Sequence, residues 1–166
     1  MLVPLGTSVI SLTVDDGGGL TAQDEVVVTV ADTTPPTVTT AYAVPDALWP
    51  PNHKMHEIAW VITAEDQCDD TEPTATLVAI SSDESEDGWA SGDGNTMNDI
   101  QVDAAGHVFL RSERAGKGDG RVYTLSFEVT DTAGNIALAL CTVEVPHDAS
   151  LHACENPDCD LNINNQ

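Results

Sequence analysis

One strand–turn–strand pattern occurs twice in this chain, at a separation of 115 positions. Apolar residues alternate with polar ones on both sides of a glycine-containing turn, and the two occurrences match without a gap. Alternation with a period of two is typical of β-strands, so each occurrence is predicted to be a β-hairpin. The matched positions are Ile10 with Leu125, Leu12 with Phe127, Val14 with Val129, Val26 with Cys141, Val28 with Val143, Val30 with Val145, and the turn acids Asp16 with Asp131.

The chain between the two hairpins also reads as strands separated by turns. Strands are predicted at 37–44, 55–64, 75–81, 107–114, 122–130 and 136–145, with a weaker candidate at 99–103. Such a series of short strands predicts an all-β fold, an antiparallel β-sandwich of about seven strands. Aromatic residues make up only 4% of the chain, so the core must come mainly from aliphatic side chains, which suit pleated strands.

Prolines at 35 and 36 separate the first hairpin from the sandwich, because proline cannot donate to a strand ladder. We predict a closing hairpin of an incomplete unit at 1–31, a linker at 32–37, a complete sandwich at 38–148 and a polar tail at 149–166. A lone hairpin is marginally stable in water, since it cannot bury its apolar face. The first hairpin is therefore expected to complete a sheet supplied by preceding residues or by a neighbouring subunit. Repeated addition between subunits would build a fibre.

The charge of the chain excludes several classes of partner. The formal net charge is -23, with only five Lys and Arg residues. Nucleic-acid phosphates would be repelled, and no basic patch is available for anionic lipid. No stretch reaches the roughly 20 apolar residues of a membrane span, and residues 1–10 lack the features of a secretory signal. Solubility in salty surroundings and the binding of divalent cations are the two explanations that remain for the excess of acids.

Four cysteines favour disulfides and an oxidising, extracellular compartment. Cys154 and Cys159 are close enough in sequence to close a small loop, which would leave Cys68 to pair with Cys141. Four unpaired thiols are the alternative. The spacing does not match a zinc site.

Several segments of the chain form a combination of motifs known from other proteins. In the first hairpin and its linker they are Ser11–Gly18, Val26–Val30 and Asp32–Pro36, and in the later part they are Leu48–Lys54, Glu65–Asp69, Gly92–Asn95, Leu110–Arg114, Gly120–Tyr123 and Val129–Asn135. The first set resembles the end of a PKD-type or HYR-type repeat, an immunoglobulin-like module of bacterial extracellular proteins, and the second set resembles a related module. The resemblance implies an immunoglobulin-like sandwich in an extracellular setting. Modules of this kind act as spacers, adhesive units or calcium-stiffened stalks.

An acidic stretch over 83–103 is the first candidate calcium site. Calcium takes six to eight oxygen ligands in a flexible loop, and this stretch combines seven acids with glycines and no basic residue. The candidate ligands are Asp83, Glu84, Asp93, Asn95 and Asp99. The alternative is a solvated acidic loop without a bound ion.

A second candidate calcium site lies where the linker meets the sandwich. Its predicted ligands are Asp32, Glu65, Asp66, Asp131 and Asn135, which fall on the linker and on two turns. Cations at such positions restrain the angle between tandem modules. Ordinary turn chemistry is the alternative, because Asp and Asn favour turns by bonding their own backbone.

Other polar residues have structural explanations. We expect Arg111, Arg114 and Arg121 to form ion pairs that fix the acidic loop against the sheet. His53 and His56 are predicted to be structural, since no third metal ligand is close in sequence. A possible O-glycan patch consists of Thr33, Thr34, Thr37, Thr39 and Thr40, although Thr and Pro are equally ordinary in linkers.

No catalytic motif occurs in the sequence, and the predicted function is non-enzymatic. The chain is expected to be a calcium-stabilised structural module that associates through its first hairpin. The alternative is an accessory module of a secreted hydrolase or adhesin that binds carbohydrate or a cell surface. Exposed aromatic residues would be needed for that role, and Trp89 is the candidate.

Overall fold

A computed structural model describes residues 4–68, 70–86 and 96–148 of the chain. The first hairpin consists of β1 (Gly6–Asp15) and β2 (Thr21–Val30), which pair antiparallel from Gly6 with Val30 to Asp15 with Thr21. The remaining strands are β3 (Thr37–Val44), β4 (Met55–Glu65), β5 (Thr74–Ser82), β6 (Ile100–Val102), β7 (Val108–Arg111), β8 (Gly120–Thr130) and β9 (Ile136–Pro146). The described residues contain no helix, and therefore none that could cross a bilayer.

Strands β3 to β9 form two antiparallel sheets that pack as a β-sandwich-like unit. One sheet has the order β3-β4-β7-β6 and the other has the order β5-β8-β9. Alternate side chains of β8 are fully buried between the sheets, among them Leu125, Phe127 and Val129. Trp60 of β4 packs on Phe127 of β8 with ring centroids 5.1 Å apart. The core is thus largely aliphatic, as the composition predicts.

The repeated hairpin pattern is confirmed at the level of strand register. Ile10 pairs with Val26 in the first hairpin, and Leu125 pairs with Cys141 at the matched positions of β8 and β9. All ten pairs of β1 and β2 fall on pairs of β8 and β9 after the shift of 115 positions. The two hairpins are therefore the same structural element, present twice.

The two turns also match. In each turn the matched aspartate, Asp16 or Asp131, donates its backbone N–H to the carbonyl of the fourth residue after it, Leu20 or Asn135. The carboxylate of that aspartate accepts the N–H of the same fourth residue, at 3.0 Å in the first turn and 2.8 Å in the second. Gly19 and Gly134 adopt φ values of 96° and 91°, which glycine reaches without steric cost.

The environments of the two hairpins differ sharply. Leu12 is 63% exposed, whereas the matched Phe127 is fully buried. Val26 is 53% exposed, whereas the matched Cys141 is buried. None of residues 4–31 belongs to the buried class. The first hairpin thus presents to solvent the face that its counterpart uses to build the core.

Two predictions about local structure need correction. The strand predicted at 107–114 is only Val108–Arg111, because the chain leaves the ladder at Ser112 to bond the segment before β4.

The predicted Cys68–Cys141 disulfide is not formed. Cys141 points from β9 into the core, whereas Cys68 is an exposed thiol in the loop after β4. A disulfide requires closely facing Cβ atoms. Cys154 and Cys159 lie outside the described residues, as does the rest of the predicted tail beyond residue 148.

Candidate functional site

The linker and two loops meet at one end of the sandwich, which we call the junction pole. Strand β3 begins there and β4 ends there, because Thr37 pairs with Glu65 at the end of their antiparallel ladder. The turn between β8 and β9 lies at the same end, since Thr74 at the start of β5 pairs with Thr130. Antiparallel pairing thus brings together acids that are about 100 residues apart in sequence.

Asp32, Asp66 and Cys68 form a compact cluster at the junction pole. One carboxylate oxygen from each aspartate and the sulfur of Cys68 all lie within 4.8 Å of one another. Asp32 is fixed by the backbone N–H of Thr34, and Asp66 by that of Cys68, at 2.9 Å and 2.7 Å. The second oxygen of Asp66, Oδ2, is buried and has no hydrogen-bond partner. A buried carboxylate oxygen of this kind favours a cation or a water molecule as its neighbour.

Asp131 and Asn135 connect this cluster to the linker. The side-chain amide of Asn135 donates to Asp131 Oδ2 at 2.8 Å and to the backbone carbonyl of Asp32 at 3.4 Å. Burial opposes ionisation of Asp131, but hydrogen bonds from Asn135 and from the turn outweigh it and hold the pKa of Asp131 below its usual value. Asn135 therefore ties the sandwich to the chain segment that leads from the hairpin.

Negative charge is concentrated at the junction pole. Partial desolvation, a hydrogen bond to Asp32 and the charges of Asp32, Asp66 and Asp131 together raise the pKa of the exposed Cys68 thiol. The thiol is therefore protonated at neutral pH. Glu65, the remaining predicted ligand of this site, is exposed at the end of β4 and does not belong to the three-residue cluster. The structure thus brings Asp32, Asp66, Asp131 and Asn135 together and adds Cys68, which the sequence analysis assigned to a disulfide.

The first candidate calcium site looks different in the structure. Asp99 is buried, and its two oxygens are bound by Arg111 at 2.9 Å and Arg121 at 2.6 Å. Asp83 accepts the backbone N–H of Val122, and Glu84 accepts that of Ala115. Asp93, Asn95 and Trp89 lie outside the described residues. Protein donors thus bind at least one oxygen of each described candidate ligand of this site, and both oxygens of Asp99.

Two of the three arginines pair with acids as predicted. Arg121 is fully buried in β8 and also contacts Tyr123, whose hydroxyl donates to the carbonyl of Arg111 at 2.9 Å. Burial disfavours the charged guanidinium, but the bonds to Asp99 and Tyr123 outweigh it and raise the pKa of Arg121. Burial raises the pKa of Tyr123 to about 12. Arg114 instead binds the carbonyls of Pro146 and His147 at the end of β9.

Glu113 is a buried acid that belongs to neither candidate calcium site. Its Oε2 atom is hydrogen-bonded to Thr96 and to Nδ1 of His53, the latter at 2.8 Å. Arg111 lies 4.0 Å from the same oxygen, and Oε1 has no hydrogen-bond partner. His53 is thus a partner of a carboxylate, in line with its predicted structural role. No sequence signal marks Glu113, because its partners are 17 and 60 residues away.

The predicted O-glycan patch is mostly accessible. Thr33, Thr34, Thr37 and Thr39 are exposed, and Thr40 is half-buried. The hydroxyl of Thr39 is hydrogen-bonded to Thr63 across the β3–β4 ladder.

The first hairpin exposes an apolar sheet face to solvent. Its inner face is the side that matches the core-facing side of β8 and β9 after the shift of 115 positions. The apolar residues of this face are Ile10, Leu12, Val14, Val26, Val28 and Val30. Leu12, Val14 and Val26 are more than half exposed, and the others are half-buried. Asp24 pairs with Leu12 on this face, where the counterpart hairpin has the buried Ala139. Contiguous exposed apolar surface is a common feature of interaction sites in soluble proteins.

Comparisons with protein-family models, with curated proteins and with solved structures find no match for this chain.

Proposed function

We propose that this protein is a non-enzymatic structural module of a secreted or surface-attached protein, joined to neighbouring units through its first hairpin. One observation carries the proposal. The hairpin repeats the register of β8 and β9, yet it exposes the face that β8 and β9 bury. Because such a face costs free energy in water, its natural state is covered by β-structure from a neighbouring unit.

The proposed fold family is immunoglobulin-like. The sheet orders β3-β4-β7-β6 and β5-β8-β9 match the constant-type arrangement of strands ABED and CFG. Tyr123 near the start of β8 bonds an upstream backbone carbonyl, as the tyrosine corner of such domains does. These features support an immunoglobulin-like topology, and the PKD-type or HYR-type family and the extracellular setting are proposed from the sequence resemblance alone.

Calcium at the junction pole is the proposed source of stiffness between units. Asp32 lies on the linker, whereas Asp66 and Asp131 belong to the sandwich, so an ion bound there would cross-link the two parts. The open Oδ2 atom of Asp66 supports this position. Asp32 and Asp66 supply carboxylate oxygens, and backbone carbonyls and water would complete the six to eight ligands that calcium takes. The thiol of Cys68 is not a calcium ligand.

Thermal unfolding in calcium and in EGTA tests this proposal. We expect calcium to raise the melting temperature, because the ion binds the folded state alone. Asp66→Asn should reduce the calcium-dependent rise, while Glu72→Gln, an equal charge change in the exposed part of the same loop, should leave it intact. Identical melting curves in calcium and EGTA, with no calcium retained after dialysis, would contradict a calcium-stiffened module.

The alternative, a carbohydrate-binding module, draws less support from the described aromatic residues. Trp60 packs on Phe127 inside the sandwich, and Tyr123 is fully buried. Trp49 is 46% exposed, but it has no described aromatic neighbour that would form a flat platform for a sugar.

A further inference from the structure

A second apolar surface lies on the outer side of β9. Ile136, Leu138 and Leu140 point away from the core and are 49%, 73% and 58% exposed. We call these three residues the β9 stripe. No other described strand of the sandwich exposes three successive outward positions that are all large and apolar. The stripe faces solvent beside Thr130, Glu128 and Ser126, its partners on β8.

The repeated hairpin shows that the fold does not require this stripe. The matched positions on the outer side of β2 are Thr21, Gln23 and Glu25, all polar. The same register and the same turn thus form with polar residues at these three places. The apolar side chains of the β9 stripe therefore need an explanation outside the folding of the hairpin itself.

The inner face of the first hairpin needs a sheet to cover it, because its counterpart in β8 and β9 lies under the sheet that contains β3, β4 and β7. A second copy of the chain cannot provide that cover from within its sandwich. Its own β8 and β9 already occupy the position between the two sheets, with Arg121 and Tyr123 bonded to Asp99 and Arg111. The hairpin has Gly6 and Ser8 at those two positions, so it could not replace these bonds. The surface of a second copy that is left to cover the hairpin is therefore the outer side of one of its sheets.

Charge indicates that the contact is apolar. The hairpin contains the acids Asp15, Asp16, Asp24 and Glu25 and no Lys, Arg or His. Asp24 flanks Leu12 on the inner face, and Glu128 flanks Leu138 beside the β9 stripe. Ion pairing therefore cannot hold the two surfaces together, and dissolved cations are needed to screen the acids at their edges.

We propose that the inner face of the hairpin in one copy packs on the β9 stripe of a second copy. The proposal rests on the proposed function and specifies the acceptor surface for the hairpin. Two sheets packed face to face lie about 10 Å apart, which brings Leu12 and Val26 of one copy within reach of Leu138 of the other. The two surfaces are different parts of one chain, so the contact is heterologous. Each copy can use both surfaces at once, and the contact repeats into an open chain.

Two single substitutions test the contact. Leu12→Glu removes the hairpin surface and keeps the β9 stripe, while Leu138→Glu does the reverse. In sedimentation velocity with calcium present, the wild-type protein should form a concentration-dependent series of oligomers, and each variant alone should remain monomeric. An equimolar mixture of the two variants should form a dimer and nothing larger, because one intact surface of each kind remains and both other surfaces are blocked.

Val27→Glu is the matched control, because Val27 is an exposed apolar residue on the opposite side of β2. It should associate like the wild-type protein. If Leu12→Glu stops association and Leu138→Glu does not, the hairpins pair with one another and the proposal is wrong. A wild-type protein that stays monomeric at every concentration also overturns it. The calcium effect on melting is measured on monomer, so its presence or absence reports on the proposed module separately.

Discussion

At the scale of single residues, the buried ion pairs of Asp99 organise the end of the sandwich far from the junction pole. Asp99 forms ion pairs with Arg111 from one sheet and Arg121 from the other. The hydroxyl of Tyr123 accepts a hydrogen bond from Arg121 and donates one to the backbone carbonyl of Arg111. Removing one partner of a buried pair leaves an uncompensated charge away from water. The network therefore fixes the relative position of β7 and β8 and of the segment before β6.

Asp99→Asn should accordingly destabilise the protein strongly. We expect a loss of about 3–5 kcal/mol in the free energy of unfolding, measured by urea denaturation, because the buried Arg121 loses the nearer of its described carboxylate partners, Asp99 rather than Glu84. Asp119→Asn, which removes an exposed acid just before β8, should change the free energy by less than about 0.5 kcal/mol.

A double variant shows whether the pair acts as a unit. Asp99→Asn combined with Arg121→Gln should cost clearly less than the sum of the two single effects, since the second change removes the buried charge whose nearest carboxylate the first change removed. Additive losses would mean that the two side chains stabilise the protein independently.

The sequence predicts that the arginines of this network form ion pairs, but it does not identify the acid with which they pair. The scarcity of cations in an acidic chain correctly indicated that Arg111 and Arg121 pair with the loop. The sequence places their shared partner, Asp99, among the candidate calcium ligands, because a carboxylate in a glycine-rich acidic stretch has the same sequence signature in both roles. The pairing is decided by the fold, which brings residues 12 and 22 positions apart into contact across two sheets.

At the scale of elements, the two hairpins give a controlled comparison of one structure in two environments. They share register and turn geometry, and the turn aspartates Asp16 and Asp131 both have a lowered pKa, although for Asp16 the backbone hydrogen bonds are the leading cause. They differ in burial and also in several side chains, among them Leu12 against Phe127 and Gln23 against Leu138. The shared register and turn make the effect of tertiary packing on this element accessible at matched positions.

Hydrogen exchange measures that difference directly. In dilute solution, the backbone amides of β1 and β2 should exchange orders of magnitude faster than those of β8 and β9, because an uncovered hairpin opens at little free-energy cost. The comparison of Val26 with Cys141 at matched positions is the most direct, because both pair across their hairpin in the same register. Equal protection at these positions would show that the first hairpin is stable without a partner.

The hairpins were predictable because alternation of apolar and polar residues and the turn residues are written locally in the sequence. The same reasoning placed β3, β4, β5, β8 and β9 with few errors at their ends. Cysteine pairing was not predictable in this way. Whether Cys68 and Cys141 meet depends on the direction in which each side chain points in the sandwich, and an even number of cysteines carries no information about that.

At the scale of the whole molecule, the net charge of -23 opposes compactness. Three of the five Lys and Arg residues are committed to internal contacts through Arg111, Arg114 and Arg121. The junction pole gathers several of the remaining acids around a linker that contains no cation. Mobile ions are therefore the main source of positive charge near this end of the protein.

Salt should stabilise the protein as a result. The screening length falls from about 30 Å at 0.01 M to about 10 Å at 0.1 M ionic strength, so repulsion between the exposed acids weakens over this range. We expect the melting temperature to rise as sodium chloride is added, with an equal osmolality of sucrose as the control for non-ionic effects. A melting temperature that falls with salt would mean that surface ion pairs outweigh the repulsion.

The short bridge between residues 46–48 and β9 has a mechanical consequence. Leu48 donates to the carbonyl of Glu144, and Glu144 donates to that of Asp46, both at 2.8 Å, and the two segments run parallel. The first segment follows the entering strand of the sandwich, and β9 is its last strand. Tension between the two ends of the sandwich would pull these segments past each other along their length. Both hydrogen bonds would then be loaded together in shear, instead of breaking one after the other.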